Sequence, residues 1–397
     1  MKLAARTTRI VPSATLNVSA TAKSMAAQGV DVVNFSAGEP AADTPEIVKA
    51  AARAAITDGF TKYTPASGID ELKQAIVDKF SRDQGIHYDT SQILVSCGAK
   101  HTLYNAAQAL LDPGDEVIIP APYWVSYPDI VRLANGQPVI LETRESDGYA
   151  LDPKQLEAKV TPRTKALVLN SPSNPTGALY VRETLEAVAD VAKRHGFLVI
   201  SDEIYEELVY EETSFMSIVS VAPEIADQTL VVNGVSKAFS MTGWRIGYAG
   251  GPKALIAAMS VIQSQSTSNP SSISQKAAVA ALRDGTSFFK ELLADLTPKR
   301  RLMVDALNAM PGVTCPTPAG AFYAFPNVSG ILGKQHANGT ITTSADLATY
   351  LLHEAHVACV PGDPFGSPHH LRLTYTPTLD AIERGLKKIR TAIQALV

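Results

Sequence analysis

Lys237 is the only ionisable side chain between Asp227 and Arg245, and it comes soon after an apolar run at residues 229–233. A lysine in a loop after a strand most often reaches into solvent. A desolvated amine with a lowered pKa instead forms imines readily. The choice between these two interpretations depends on the side chains that follow neighbouring strands.

Polar side chains follow two other apolar runs. Asp202 and Tyr205 come after residues 198–200. Asn174 lies in a turn with two prolines after residues 167–170. Such an acid is usually a helix cap, and such a turn is usually only rigid. Ligands of open parallel sheets, however, bind beyond the carboxyl ends of the strands, so we expect these side chains to converge on a ligand.

The small residues Gly98 and Ala99 open a predicted helix after an apolar run at residues 93–95. Backbone N–H groups at a helix N-terminus bind phosphate, although a Gly-Ala step often only caps a helix. Lys100 strengthens the case for a bound anion, because a cation in the first turn opposes the helix dipole.

An amine, a carboxylate, a phenol, an amide and an arginine are the groups needed to use pyridoxal 5'-phosphate. The amine of Lys237 forms the Schiff base, and a carboxylate keeps the pyridine nitrogen protonated. Arg245 and the helix end hold the phosphate.

Alternating strands and helices must position these groups. Helical patterns, residues 99–111 and 182–194 among them, separate apolar, β-branched runs. Strands that are apolar on both faces imply an α/β fold with a mostly parallel seven-stranded sheet covered on both sides. The predicted strands are residues 92–96, 116–120, 138–142, 165–170, 197–201, 230–233 and 246–250.

A smaller α+β unit follows a long helical pattern at residues 288–309. Its clearest strands are residues 320–325 and 370–375, and its helices are residues 344–356 and 379–397. The predicted organisation is an N-terminal arm with part of the small domain at 1–45, a large cofactor-binding domain at 46–290 and a small domain at 291–397.

The composition argues against several classes of function. Lys and Arg number 35 against 39 Asp and Glu, a net charge of −4, so nucleic acid and anionic membranes are not expected partners. Three cysteines without C-x-x-C spacing predict reduced thiols and no metal site. No signal peptide or membrane-spanning apolar segment is recognisable, so a cytoplasmic protein is expected.

The motifs together resemble a known family. Ser236–Gly247, with Asn174–Gly177 and Asp202–Tyr205, is similar to the class I, fold-type I pyridoxal-phosphate aminotransferases. Further matches run from Pro12–Thr15 to His370–Tyr375. Within the family the chain looks like the bacterial aspartate aminotransferases in which a lysine binds the distal carboxylate of the substrate.

The resemblance implies a role for each residue. Lys237 carries the cofactor and moves the proton between substrate and cofactor. Asp202 pairs with the pyridine nitrogen, while Tyr205 and Asn174 bond the phenolic oxygen of the ring. Trp124 is implied to lie on the face of the cofactor ring. The alternative interpretation places Trp124 in the hydrophobic core. The residues implied to bind the phosphate are Gly98, Ala99, Ser236 and Arg245.

Arg372 corresponds to the arginine that takes the substrate α-carboxylate as a bidentate pair, and Gly38 adds a backbone donor. A surface arginine on an edge strand is the alternative. Tyr63 is implied to reach the phosphate bound by the neighbouring subunit, so the active unit is expected to be a homodimer.

The substrate depends on what binds the distal carboxylate. Many aspartate aminotransferases use an arginine of the partner subunit, but residues 262–269 contain none. The resemblance assigns this task to Lys100 with the hydroxyls of Ser13 and Thr15, which favours L-aspartate and 2-oxoglutarate. Val11 stands where prephenate-using members carry a basic residue, which disfavours prephenate.

Two alternatives stay open. The enzyme would act on prephenate, aromatic or alanine-type substrates if the aromatic residues of 321–325 lined the pocket rather than the core. A cofactor-binding regulatory module without catalysis is the other alternative. The joint presence of Lys237, Asp202 and Arg372 argues against such a decayed site.

Overall fold

The computed structural model describes residues 1–210, 213–337 and 339–397. The strands of these residues are β1 (Val33–Asn34), β2 (Ile93–Ser96), β3 (Glu116–Ala121), β4 (Gln137–Glu142), β5 (Thr164–Asn170), β6 (Leu198–Asp202), β7 (Thr229–Gly234), β8 (Gly247–Gly250), β9 (Tyr323–Ala324), β10 (Gln335–His336), β11 (Gly339–Thr340), β12 (Val357–Ala358), β13 (Val360–Pro361) and β14 (Leu371–Thr374).

The α-helices of the same residues are α1 (Ala14–Ala27), α2 (Glu46–Thr57), α3 (Asp70–Gln84), α4 (Ala99–Leu110), α5 (Ser126–Leu133), α6 (Pro153–Lys159), α7 (Arg182–His195), α8 (Ile218–Val221), α9 (Lys253–Ser266), α10 (Ser272–Asp284), α11 (Phe288–Asn308), α12 (Ser344–Glu354) and α13 (Leu379–Gln394). None of these helices is long and apolar enough to cross a membrane.

The seven predicted strands form one sheet in the order β2-β8-β7-β6-β5-β3-β4. All neighbours pair in parallel except β8, which runs antiparallel to both β2 and β7. Along β5, Leu167 and Leu169 pack into one hydrophobic cluster and Val168 into another. Both faces of the sheet are therefore covered, and the predicted mostly parallel sheet is confirmed.

The register of the sheet brings the site residues together. Asn170 at the end of β5 lies beside Asp202 at the end of β6, and the next strand, β7, ends at Gly234. Because these parallel strands end at the same edge, the loops that follow them share one opening.

The second unit contains β9, β13 and β14 in a three-stranded antiparallel sheet and packs around α11, α12 and α13. The N-terminal β1 pairs with β12. The strand predicted at residues 320–325 is shorter than expected, because Ala321 has φ of 57°, outside the extended region. The proposed domain boundaries at 45/46 and 290/291 stay a prediction.

A buried carboxyl group follows β6 outside the pocket described below. Glu203 accepts hydrogen bonds from the hydroxyls of Ser201 (2.9 Å) and Ser217 (2.7 Å). Burial, and then the charge of Glu206, raise the pKa of Glu203 to about 8. This carboxyl group is therefore protonated at neutral pH.

Candidate active site

A cavity of about 400 Å³ opens at the carboxyl ends of β5, β6 and β7. Its walls come from the arm, α4, the loop before α5, the loops after the three strands, and β14. The predicted site residues that line it are Ser13, Thr15, Gly38, Ala99, Lys100, Trp124, Asn174, Asp202, Tyr205, Ser236, Lys237, Arg245 and Arg372.

Lys237 lies half-buried in the loop after β7. Its Nζ donates a hydrogen bond to the carbonyl oxygen of Gly38 at 2.5 Å. Burial, and then the charge of Arg372, lower the pKa of Lys237 to about 8. A larger fraction of this amine is therefore neutral near physiological pH than for an ordinary lysine, as a nucleophile or a base requires.

Asp202 ends β6 and is buried. Its Oδ2 accepts a hydrogen bond from Tyr127 Oη at 2.6 Å, and its Oδ1 accepts one from the backbone of Ile204 at 3.3 Å. Burial raises the pKa of Asp202 to about 6, against the opposing effect of the Tyr127 hydrogen bond. A buried carboxylate of this kind stabilises a proton on a nearby ring nitrogen.

Arg372 projects from β14 and is 2% exposed. Its Nη1 donates to Asn174 Oδ1 at 2.9 Å, and its Nη2 donates to the carbonyl oxygen of Ser36 at 3.0 Å. Among the described residues its buried Nε has no hydrogen-bond partner and no carboxylate pairs with it. Because an uncompensated buried charge is costly, this guanidinium fits a site that receives an anion. The alternative of an exposed arginine is wrong.

Gly98 and Arg245 form a cradle at the N-terminus of α4. Gly98 has φ of 87°, and a Cβ placed there would lie 2.1 Å from Nη2 of Arg245. Arg245 Nη1 donates to the carbonyl oxygen of Thr242 at 2.9 Å, which fixes the guanidinium against the helix end. Backbone N–H groups and a guanidinium at one helix N-terminus are suited to a phosphate.

Lys100 and Trp124 line the cavity beside each other. Lys100 Nζ lies 4.9 Å from the centroid of the Trp124 ring. Partial burial, and then the charge of Arg245, lower the pKa of Lys100, although much of its side chain is exposed at the cavity mouth. Ser13 and Thr15 line the cavity at the start of α1.

Two predicted residues stand apart from the cavity wall. Gly98 lies behind Arg245 rather than in the lining. Tyr63 is 90% exposed and does not line the cavity of its own chain. Its predicted contact needs a second subunit and stays a prediction.

Tyr127 and Tyr323 are site residues to which the sequence assigned no role. Tyr127 donates to Asp202, and the Tyr323 hydroxyl lies 2.8 Å from that of Tyr205. The signal for Tyr127 is its position three residues after Trp124, which packs edge-on against it at a centroid distance of 5.2 Å. The sequence identifies Tyr323 only as one of several aromatic residues that line either the pocket or the core.

The donor set fits pyridoxal 5'-phosphate. The Gly98 cradle excludes any side chain where a phosphate needs backbone contact. Lys237 offers an amine of lowered pKa, and Asp202 is a buried carboxylate without an ion-pair partner among the described residues. These are the three anchoring groups that this cofactor requires.

Comparisons with known proteins identify the family. Residues 30–389 match the family described as aminotransferase class I and II. An aspartate aminotransferase from Geobacillus stearothermophilus is 47% identical over 395 residues, covering 100% of both chains. An aspartate/prephenate aminotransferase from Cereibacter sphaeroides is 49% identical over 384 residues, covering 96% of each chain.

A solved structure extends this likeness to the fold. The aspartate aminotransferase from Thermus thermophilus with maleate matches with a TM-score of 0.93 at 44% identity, covering 99% of this chain and 100% of that chain. The predicted fold type I architecture is confirmed. The chain belongs to the class I and II aminotransferases and is a pyridoxal-phosphate-dependent transaminase.

Proposed function

We propose that this transaminase moves the amino group of L-aspartate to 2-oxoglutarate in a ping-pong cycle. The observation that carries the proposal is a pair of cations, Lys100 and Arg372, in one cavity. Neither has a carboxylate partner among the described residues. Aspartate and 2-oxoglutarate each carry two carboxylates, so one substrate places a carboxylate on each cation.

In this proposal Arg372 and Gly38 take the α-carboxylate, while Lys100 takes the distal one with Ser13 and Thr15. Arg372 is held by Asn174 and Ser36, so its planar fork is oriented before the substrate arrives. A preorganised bidentate contact of this kind fixes the Cα position relative to Lys237.

Pyridoxal 5'-phosphate, when bound, supplies a carbonyl carbon that takes up the amino group and a ring that accepts the electron pair released at Cα. The Lys237 amine would anchor the cofactor. Once displaced by substrate, it would take the proton from Cα and deliver it to the cofactor carbon that keeps the amino group. Its lowered pKa suits this work, because a neutral amine is needed to accept the proton.

Asp202, Tyr205 and Asn174 are proposed to hold the cofactor ring. Asp202 keeps a proton on the ring nitrogen, and its own ionised form is supported by Tyr127. Tyr205 and Asn174 donate to the phenolic oxygen. Trp124 supports the ring face and orients the substrate side chain.

The phosphate is proposed to lie in the cradle of Gly98, Ala99, Ser236 and Arg245, with Tyr63 contributed by a second subunit. The exposure of Tyr63 supports a homodimer. Mixed dimers of Lys237→Ala and Tyr63→Phe chains test this contact. If Tyr63 acts across the interface, one site per mixed dimer regains wild-type cofactor affinity, and a contact within one chain restores none.

A second candidate substrate is prephenate, because the Cereibacter sphaeroides relative carries that activity in its name. Tyr323 lines the cavity and offers an aromatic wall. Val11, however, is 74% exposed and brings no positive charge, so aspartate is preferred. The proposed compartment is the cytoplasm, where the three free cysteines stay reduced.

A panel of half-reactions tests the substrate. Purified holo-protein is mixed separately with aspartate, glutamate, alanine, tyrosine and arogenate, and the visible absorbance of the bound cofactor is followed. The proposal predicts the fastest bleaching with aspartate and glutamate. Faster bleaching with arogenate than with aspartate would show that aspartate is not the preferred amino donor. Lys237→Ala provides the inactive control.

A further inference from the structure

Tyr323 lines the cavity and contacts both Tyr205 and Arg372. It is 1% exposed, and its hydroxyl lies 2.8 Å from the Tyr205 hydroxyl. Among the described residues, Tyr323 Oη has no other hydrogen-bond partner. A methyl group on Gly38 would come within 3.1 Å of Tyr323 Oη, so the absent side chain at Gly38 leaves room for this hydroxyl.

The direction of the Tyr205–Tyr323 hydrogen bond follows from the number of hydrogens. Each hydroxyl has one hydrogen, and burial, the first cause, raises the pKa of both, so both stay protonated. If Tyr205 uses its hydrogen for the phenolic oxygen of the cofactor, it has none left for Tyr323. The bond between the two oxygens must then be donated by Tyr323.

A hydrogen bond received by Tyr205 makes it a stronger donor, because hydrogen bonds in a chain polarise one another. The chain also reaches the substrate site. The guanidinium carbon of Arg372 lies 4.5 Å from the centroid of the Tyr323 ring. This cation favours negative charge on Tyr323 and strengthens its donation. A carboxylate bound to Arg372 offsets this positive charge and so weakens the hydrogen bond that Tyr323 donates.

We propose that Tyr323 is a positioning residue that donates a hydrogen bond to Tyr205. Through this bond, the charge at Arg372 changes how readily the Lys237 nitrogen loses its proton. The inference rests on the proposed function, in which Tyr205 donates to the phenolic oxygen. A stronger donor stabilises negative charge on that oxygen and so favours loss of the proton from Lys237.

Spectroscopic pH titration of the holo-protein tests the inference without measuring turnover. The midpoint of the change in visible absorbance reports loss of the proton from the Lys237 nitrogen. Tyr323→Phe keeps the ring and removes the hydroxyl. Its midpoint is expected to rise by about 0.1 to 0.6 pH unit, which is ~10–30% of the effect of the whole charge-assisted hydrogen bond. Tyr205→Phe is expected to raise the midpoint by about 1 to 2 pH units.

Two further variants show whether Tyr323 acts through the Tyr205 hydroxyl, which we call the relay, or through a general effect of losing a buried hydroxyl. In a Tyr205→Phe background, Tyr323→Phe is expected to add nothing. Tyr375→Phe removes a buried hydroxyl outside the cavity lining and is expected to leave the midpoint unchanged. Saturating succinate, which occupies Arg372, is expected to raise the midpoint less in Tyr323→Phe than in the wild type.

An unchanged midpoint in Tyr323→Phe, or an equal shift with and without the Tyr205 hydroxyl, would overturn the relay. An equal succinate effect in Tyr323→Phe and wild type would overturn the link to Arg372. If Tyr205→Phe itself leaves the midpoint unchanged, the assigned Tyr205 contact fails and the relay with it. The aspartate half-reaction would still decide the proposed function independently.

Discussion

Replacing Lys100 with alanine separates the recognition of a dicarboxylate from the rest of the chemistry. The cation faces the cavity without a carboxylate partner among the described residues, and it packs on Trp124 at 4.9 Å. A distal carboxylate about 4 Å from Nζ gains about 4 kcal/mol at an effective dielectric constant of about 20. Because the Lys100 side chain is exposed at the mouth, solvent screening reduces this by about half, to about 2 kcal/mol.

A loss of about 2 kcal/mol corresponds to about a 30-fold fall in kcat/KM. Alanine has no distal carboxylate, so its rate is expected to change less than about 3-fold. The assay is the half-reaction with aspartate and with alanine in wild type and Lys100→Ala, compared as the aspartate/alanine ratio. Lys73→Ala removes another partly buried lysine, outside the cavity, and is expected to preserve the ratio. An equal fall for both substrates would refute the assignment of Lys100.

Three further changes probe the scaffold of the site. Gly98→Ala is expected to weaken cofactor binding at least ~10-fold, because the methyl group displaces the adjacent guanidinium and the residue has positive φ. An equilibrium titration with the cofactor measures this change. Gly114→Ala, at a position with φ of 95° and open space around it, is the control for backbone strain. Tyr127→Phe removes a 2.6 Å donor to Asp202 and is expected to weaken cofactor binding about 10-fold at pH 7, which fluorescence titration measures; unchanged affinity would contradict the role of that bond. Glu203 has a folded pKa of about 8 against an ordinary 4.5, so its stabilising effect is complete below pH 4.5 and is lost as the pH rises to about 8. The melting temperature of Glu203→Gln should therefore decline less between pH 4.5 and about 8 than that of the wild type. Parallel curves of melting temperature against pH would refute the raised pKa of Glu203.

The strand-end residues of the site could be predicted from the sequence because a parallel sheet collects such positions at one edge. Asn170 and Asp202 lie side by side in the register although a whole helix separates them in the chain. The predicted cluster of Asn174, Asp202 and Lys237 followed from this rule alone.

The two tyrosines could not be assigned in the same way. Tyr127 meets Asp202 across 75 positions, and Tyr323 meets Tyr205 across 118, each from an element of different type. Contacts between separate elements depend on how those elements pack, which local periodicity does not specify. The late start of the predicted strand at residues 320–325, which begins only at Tyr323, has a local cause that the sequence pattern does not reveal, because positive φ at Ala321 is rare for a non-glycine residue.

The stoichiometry of a single half-reaction shows whether this chain transfers the amino group of aspartate to its cofactor. Holo-protein is mixed with aspartate without any oxo acid, and the oxaloacetate formed is measured per cofactor. We expect one equivalent of oxaloacetate, followed by one equivalent of glutamate when 2-oxoglutarate is added, and neither product with Lys237→Ala. Holo-protein that forms no oxaloacetate from aspartate would contradict the assignment of aspartate as the amino donor.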